Sequence, residues 1–250
     1  MPSVLPTALA TLAWEALYRV AQRGLRGRGG PMEKHGATYV AALIHAMITG
    51  SRGCWHVAAL LQAPTASKLA IVDGEWHAAA LATADTNVVF FSWLLYDVLH
   101  VIREFPALGG LDTVAHHLGF MCASLVCGHH RILPFPFAWL ILGELSSVPL
   151  NIRWFLTTIA KADPKRASKW ASPISTTSKA FALVFFVTRV VVYGMGLAHL
   201  CSVTEELGKL DAVVAKPLLY LVLALLAGGY VLNLSWMSKI VKRARQASKE

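Results

Sequence analysis

Gly143 to Phe155 reads GELSSVPLNIRWF, and it breaks into a segment, 135–160, that otherwise has the composition of a lipid-embedded helix. Glu144, Ser147 and Asn151 recur at i, i+3 and i+7, which puts them on one face of a helix. Pro149 removes the backbone donor that would have bonded the carbonyl of Leu145, so that carbonyl is expected to be free for another partner. The stretch predicts a membrane helix with a polar stripe, deepest at Glu144. A carboxylate at that depth needs a partner inside the bundle. Arg189, near the middle of a later apolar segment, is the expected counter-charge.

The rest of the chain supports a membrane setting. Of its 250 residues 56% are hydrophobic and 15% charged, with a mean hydropathy of +0.53, above the composition of soluble domains. A membrane helix needs about 20 mainly apolar residues. Seven segments come near this: 4–22, 38–61, 79–102, 111–128, 135–160, 178–201 and 216–240. The first carries Glu15 and Arg19, an i,i+4 pair, and the second is interrupted by Gly50, Ser51, Arg52 and Gly53. The expected fold is an all-α polytopic membrane bundle, read as a single unit because no long polar linker divides it.

Lysine and arginine mark the sides. Fifteen fall in the first, third and fifth connections and the C-terminal tail, against Lys68, Arg131, Lys209 and Lys216 on the other side. That asymmetry predicts an external N-terminus and a cytosolic C-terminus. The basic residues sit in short clusters between apolar segments, which argues against nucleic acid as a partner despite the net charge of +9. Cys54, Cys122, Cys127 and Cys201 show no CxxC spacing, so neither a metal site nor a disulfide framework is expected. The positive charges at the N-terminus follow the apolar run, unlike a signal peptide. The acid-poor start leaves a mitochondrial or other organellar membrane as an alternative destination.

Depth organises the polar side chains. At 1.5 Å per residue, His116 and His117 lie about 8 Å into the fourth segment from its cytosolic end. Tyr96, Asp97 and His100 lie near that end of the third segment, and Asn151 and Arg153 in the inner third of the fifth. His45 and Asn233 complete the set on the second and last segments. Polar groups from five helices thus collect in one cytosol-facing slab. His45 and His100 read singly as core histidines, and Asn151 and Asn233 as helix-to-helix hydrogen bonders. Adjacent residues point about 100° apart on a helix, so His116 or His117 must face inward.

AHHLGF with its histidine pair, GELSSVPLNIRWF, FALVFFVTRV ending near Arg189, and LNLSWMSKI together resemble the TLC-domain family. SWLLYDVL and the His45 segment add to the match, which covers 34–242. The ELSS and N-x-RWF elements are similar to those of its small type-4 branch. The resemblance implies six core transmembrane helices around a lipid-accessible cavity, plus an N-terminal helix. It divides the chain into an N-terminal membrane helix and basic loop (1–33), the TLC domain (34–242) and a basic cytosolic tail (243–250). In the ceramide synthase branch a matching histidine pair serves acyl transfer from acyl-CoA, together with a D-x-x-D pair. Here the pair is His116 and His117, Glu144 matches the first aspartate, and the second position is Ser147, which cannot act as a base.

Three functions follow as expectations. The first is lipid handling that influences membrane lipid composition, with a membrane lipid or acyl chain as partner and no cofactor. The cavity would be lined by His45, Asp97, His116, His117, Glu144, Ser147, Asn151, Arg153, Arg189 and Asn233. The second is an acyltransferase with acyl-CoA as substrate, using His116 or His117 as nucleophile or base and Glu144 or Asp97 as the orienting acid. The third is an accessory subunit of a larger membrane assembly, hinted at by Gly194, Gly196, Gly228 and Gly229. Placement in the endoplasmic reticulum rests on the resemblance alone.

Overall fold

The computed structural model describes residues 4–247; residues 1–3 and the terminal Ser-Lys-Glu of the expected basic tail lie outside this range. The helices are α1 (Val4–Leu25), α2 (Gly30–Leu60), α3 (Thr65–Leu69), α4 (His77–Arg103) and α5 (Leu111–His130). A single rod follows, with α6 (Pro134–Leu142) running through a 3-10 turn (Gly143–Ser146) into α7 (Ser147–Ala162). A second composite rod joins α8 (Ser168–Phe185) to α9 (Tyr193–Ser202) through a π-helical stretch (Phe186–Val192). The short α10 (Thr204–Gly208) and the long α11 (Lys216–Ala247) complete the chain. The β-structure among the described residues is one isolated bridge, Ala70 to Ile132.

Four of these rods are long and apolar enough to cross a membrane: His77–Arg103, Pro134–Ala162, Ser168–Ser202 and Lys216–Gln246. The other three long helices fall short of the seven expected spans for a compositional reason. Glu15 and Arg19 dilute α1, Arg52 with three histidines dilutes α2, and Asp112 with four histidines dilutes α5.

Rods α2, α4, α5, α11, α8–α9 and α6–α7 each pack on the next, with α1 laid outside on α2 and α4. The stretch at Gly143 divides this arrangement into a solid half and a hollow half. Upstream, α6 is apolar on every side and seven of its nine residues are buried, so it fills the middle of the bundle. Downstream, α7 buries only Asn151 and Thr158, which is the burial of a peripheral, amphipathic helix. The rod therefore passes from the centre to the wall at the GELS turn. The volume it vacates is the cavity described below.

Gly50 and Gly53 do not interrupt α2, which runs unbroken from Gly30 to Leu60. A Cβ on Gly53 would sit 2.5 Å from the backbone nitrogen of Leu142, and one on Gly50 would sit 2.7 Å from a Leu145 methyl. The glycines let two backbones touch, which is how helices associate where no hydrophobic driving force separates them from lipid. Helix α1 docks through Trp14, its one buried residue, which lies edge-on to Trp93 and donates its indole N–H to Ser92 Oγ at 3.2 Å. Glu15 holds Arg19 at 2.5 Å and lies 3.5 Å from His100 on α4, so the expected ion pair also fastens the helix.

Polar residues are not confined to one half, a correction to the one-sided slab. Toward the other end, Thr86 hydroxyl receives Arg52 at 3.1 Å and contacts His56 at 2.8 Å. Nearby, Asn87 donates to the Ser124 carbonyl at 2.9 Å while the Ser124 hydroxyl donates back to Asn87 Oδ1. This knot joins α2, α4 and α5 and leaves only about 20 Å³ of space beside Asn87.

Candidate functional site

A cavity of about 420 Å³ occupies the hollow half, within the range of roughly 300–1,000 Å³ usual for small-molecule sites. Its apolar wall includes Ala42, Phe90, Trp93, Leu94, Leu150, Phe181 and Phe185. His45, Asp97, His116, His117, Glu144, Ser147, Asn151, Arg153 and Arg189 also line it, so nine of the ten residues expected at a cavity wall converge there. Asn233 does not line it: the residue is 1% exposed and packed into the bundle, with its Oδ1 lacking a hydrogen-bond partner. A larger apolar groove of about 800 Å³ between α1, α4 and α5 has only two threonines and His129 and His130 as polar lining, and offers no constellation for chemistry.

Glu144 and Arg189 form one buried unit. Arg189 Nη2 donates to Glu144 Oε1 at 2.9 Å, and its Nε donates to the Gly143 carbonyl at 3.1 Å and to Ser146 Oγ at 2.9 Å. The 3-10 turn supplies these acceptors, and the facing π-helical stretch carries Arg189, a local widening often found where a helix serves a site. Gly143 keeps the approach open, because a Cβ there would lie 3.2 Å from Arg189 Cγ. Ser147 hydroxyl donates to Glu144 Oε2 at 3.2 Å. The serine thus occupies the place of a second acid and supplies a donor to the first.

His117 is committed at both ring nitrogens. Nδ1 lies 2.8 Å from the Thr113 carbonyl, which can only accept, so Nδ1 carries a proton. Nε2 lies 2.8 Å from Asp97 Oδ2, and that contact holds a second proton between ring and carboxylate. Whichever atom carries it, the pair is neutral overall. His117 therefore has no free lone pair for nucleophilic attack while this arrangement lasts. Truncating Asp97 to alanine is expected to cost about 1.5–3 kcal/mol, the worth of a charged hydrogen bond, with asparagine costing less. Thermal unfolding of the detergent-solubilised variants checks the order.

His116 and His45 are differently placed. The His116 ring lies 5.6 Å from His117 and 5.3 Å from Trp236, and its Nδ1 is buried without a partner. His45 stacks on Trp93 at 4.5 Å. Thr49 spends its hydroxyl proton on the His45 carbonyl at 2.8 Å, so His45 Nε2 donates to Thr49 at 3.3 Å and Nδ1 is left as an unpartnered acceptor. Arg153 Nε is a third enclosed polar atom without a partner. Buried polar atoms in proteins are nearly always paired, so three orphans on residues around one cavity leave bonding capacity there that the described residues do not fill. Among the described residues no three histidine, cysteine, aspartate or glutamate side chains gather as a metal site.

Several lining residues escape the sequence reading: Thr113, Phe181, Phe185, Trp236, Lys239 and Arg243. Trp236 Nε1 donates to Asp112 Oδ2 at 3.1 Å, and Lys239 lies 3.7 Å from the same carboxylate, which pins α11 to the start of α5 and sets the cations at the mouth. In the sequence Lys239 and Arg243 are indistinguishable from the other basic residues that mark a membrane side.

The family comparison accords with this geometry. The TLC domain model matches residues 38–242. The chain is 26% identical to TLC domain-containing protein 4 of Xenopus tropicalis over 198 residues, 79% of this chain and 70% of the relative. It is equally similar, over the same shares, to TLC domain-containing protein 4-A of Xenopus laevis. No solved structure matches it significantly. A match spanning the histidine pair, the GELSS turn, Arg189 and most of α11 takes in every lining residue of the cavity except Arg243, and the chain belongs to the TLC-domain family.

Proposed function

We propose that this protein is a noncatalytic lipid-handling protein that crosses the membrane with six core helices and an N-terminal helix, and binds a lipid or acyl chain in the cavity from the cytosolic side. The observation that carries the reading is the division of the cavity wall. Phe90, Trp93, Leu94, Phe181 and Phe185 offer surface for a tail, while His45, His116, Asn151 and Arg153 offer polar groups for a head. The cations of the tail and the fifth connection orient the C-terminus to the cytosol, and membership of the family suggests the endoplasmic reticulum and a role in membrane lipid composition. Three of the four glycines that suggested an accessory subunit meet the chain's own aromatic rings: Gly194 meets Tyr230, Gly196 meets Trp139, and Gly229 meets Tyr193 and Phe120.

The direct test is to purify the protein in mild detergent and identify bound lipid by native mass spectrometry. A lipid retained in stoichiometric amount, and displaced when Leu94→Trp or Phe185→Trp fills the wall, is the expected result. Recovery of a well-folded, empty protein from every detergent would sink the reading.

An acyl-CoA-dependent acyltransferase is the second reading, favoured by the unpartnered Nδ1 of His116 at the cavity. The commitment of His117 to Asp97 and Thr113, and the serine in place of the second acid, weigh against it. Turnover of acyl-CoA with an amine or lysolipid acceptor, abolished in His116→Ala, would establish the enzyme.

A further inference from the structure

We propose that the cavity mouth is a phosphate subsite, in which Arg153 at the wall, with Lys239 and Arg243 on α11, takes the phosphate of an anionic ligand; this rests on the lipid-cavity reading above. The argument begins with a charge inventory of the wall. Inside the cavity the two acids are already neutralised, Glu144 by Arg189 at 2.9 Å and Asp97 by the proton it shares with His117 at 2.8 Å. Three further cations line the same space, and among the described residues the one carboxylate within ion-pair distance of them is Asp112, 3.7 Å from Lys239. The mouth therefore carries an excess of positive charge that the described residues do not offset.

Clusters of lysine and arginine are ordinary at a cytosolic membrane surface, where they meet bulk anionic headgroups. Lys239 and Arg243 taken alone fit that account. Arg153 does not. It stands nine residues before the end of α7, about 14 Å along the helix axis at 1.5 Å per residue. Its Nε is enclosed without a hydrogen-bond partner, and no carboxylate among the described residues lies within ion-pair distance of it. An arginine held at depth is costly unless an anion meets it, and its planar fork can take two phosphate oxygens at once. Asn151, on the same helix and at the wall, offers further hydrogen bonds.

A phosphate can arrive on a lipid headgroup or on a soluble compound, and the test separates the two. The full-length protein is equilibrated with phosphatidylcholine vesicles containing equal small fractions of phosphatidic acid and diacylglycerol of the same chains, then extracted and weighed by native mass spectrometry. The expected result is one phosphatidic acid per chain, retained about tenfold or more over diacylglycerol, the ratio that one charged hydrogen-bonded contact confers. Arg153→Gln should reduce that preference to within about twofold while diacylglycerol is still retained, and Arg153→Lys should restore part of it. Lys239→Gln with Arg243→Gln, both at the mouth and away from the bundle core, should lower the preference without threatening the fold. Inorganic pyrophosphate at millimolar concentration should leave the retained lipid in place; competitive displacement would identify a soluble phosphate compound as the ligand and keep the subsite. Equal retention of the two lipids, or a preference indifferent to Arg153 and to the double variant, overturns the subsite and leaves the lipid cavity standing. A wild type that holds pyrophosphate through Arg153 but never a lipid overturns the lipid cavity and keeps the subsite.

Discussion

Arg189→Met is expected to lower the stability of the folded bundle by about 3–5 kcal/mol, the largest effect of any single side chain around the cavity. The cost comes less from the lost attraction than from what remains. Glu144 would stay in a low-dielectric wall with only the Ser147 hydroxyl to meet it, and Ser146 Oγ and the Gly143 carbonyl would each lose a donor. The same reasoning predicts recovery in the double variant. Arg189→Met with Glu144→Gln removes both charges, and replacement of a buried ion pair by neutral groups of similar size is often close to neutral. Thermal unfolding in a fixed detergent distinguishes the outcomes: a severe loss for Arg189→Met, a milder one for Glu144→Gln, and a double variant closer to wild type than Arg189→Met. If the double variant is as unstable as the sum of the singles, the two residues act independently and the buried pair is not what holds the GELS turn to the π-helical stretch.

The second large effect is steric. Gly53→Val should cost about 3 kcal/mol or more, at the upper end of overpacking penalties, because the new Cβ would lie 2.5 Å from the backbone nitrogen of Leu142 and no rotamer can relieve contact with a backbone atom. Either α2 bends or α6 shifts. Because α6 fills the solid half of the bundle, its displacement would carry the GELS turn with it and reshape the cavity. Gly228→Ala is the control, since a Cβ there meets nothing within 4 Å; removing a glycine from an open helical position should be neutral or stabilise by up to about 1 kcal/mol. Equal stability of the two variants would mean that α2 and α6 do not touch backbone to backbone.

These two cases also show how far the residues could be read in advance. Glu144 and Arg189 were paired by depth, and they meet at 2.9 Å, because a charge in a membrane helix has few ways to be satisfied and similar depth narrows the choice. Gly50 and Gly53 were read as an interruption and serve instead as a contact. Composition lowers the hydropathy of α2 at those positions, but whether a glycine breaks a helix or admits a neighbour depends on what lies opposite. Asn233 was placed at the cavity by its distance from the helix end, yet α11 turns it into the bundle interior. Depth along an axis is legible from sequence; rotation about that axis depends on packing partners. For the same reason Trp236 reads from sequence as a belt or core residue, and Lys239 and Arg243 only as markers of the cytosolic side, although all three line the cavity.

The local chemistry of the chain by itself determined that it forms long helices of membrane composition, that polar side chains recur at helical spacing, and that Glu144 required a cation. Those are consequences of hydropathy, periodicity and the cost of unpaired charge, each set by residues close together along the chain. Only the tertiary structure decided that α6 fills the centre while α7 retreats to the wall, that His117 is bound at both nitrogens while His116 is not, and that the Nε of Arg153 is enclosed without a hydrogen-bond partner. A cavity is the space several helices fail to fill together, and no one of them encodes it.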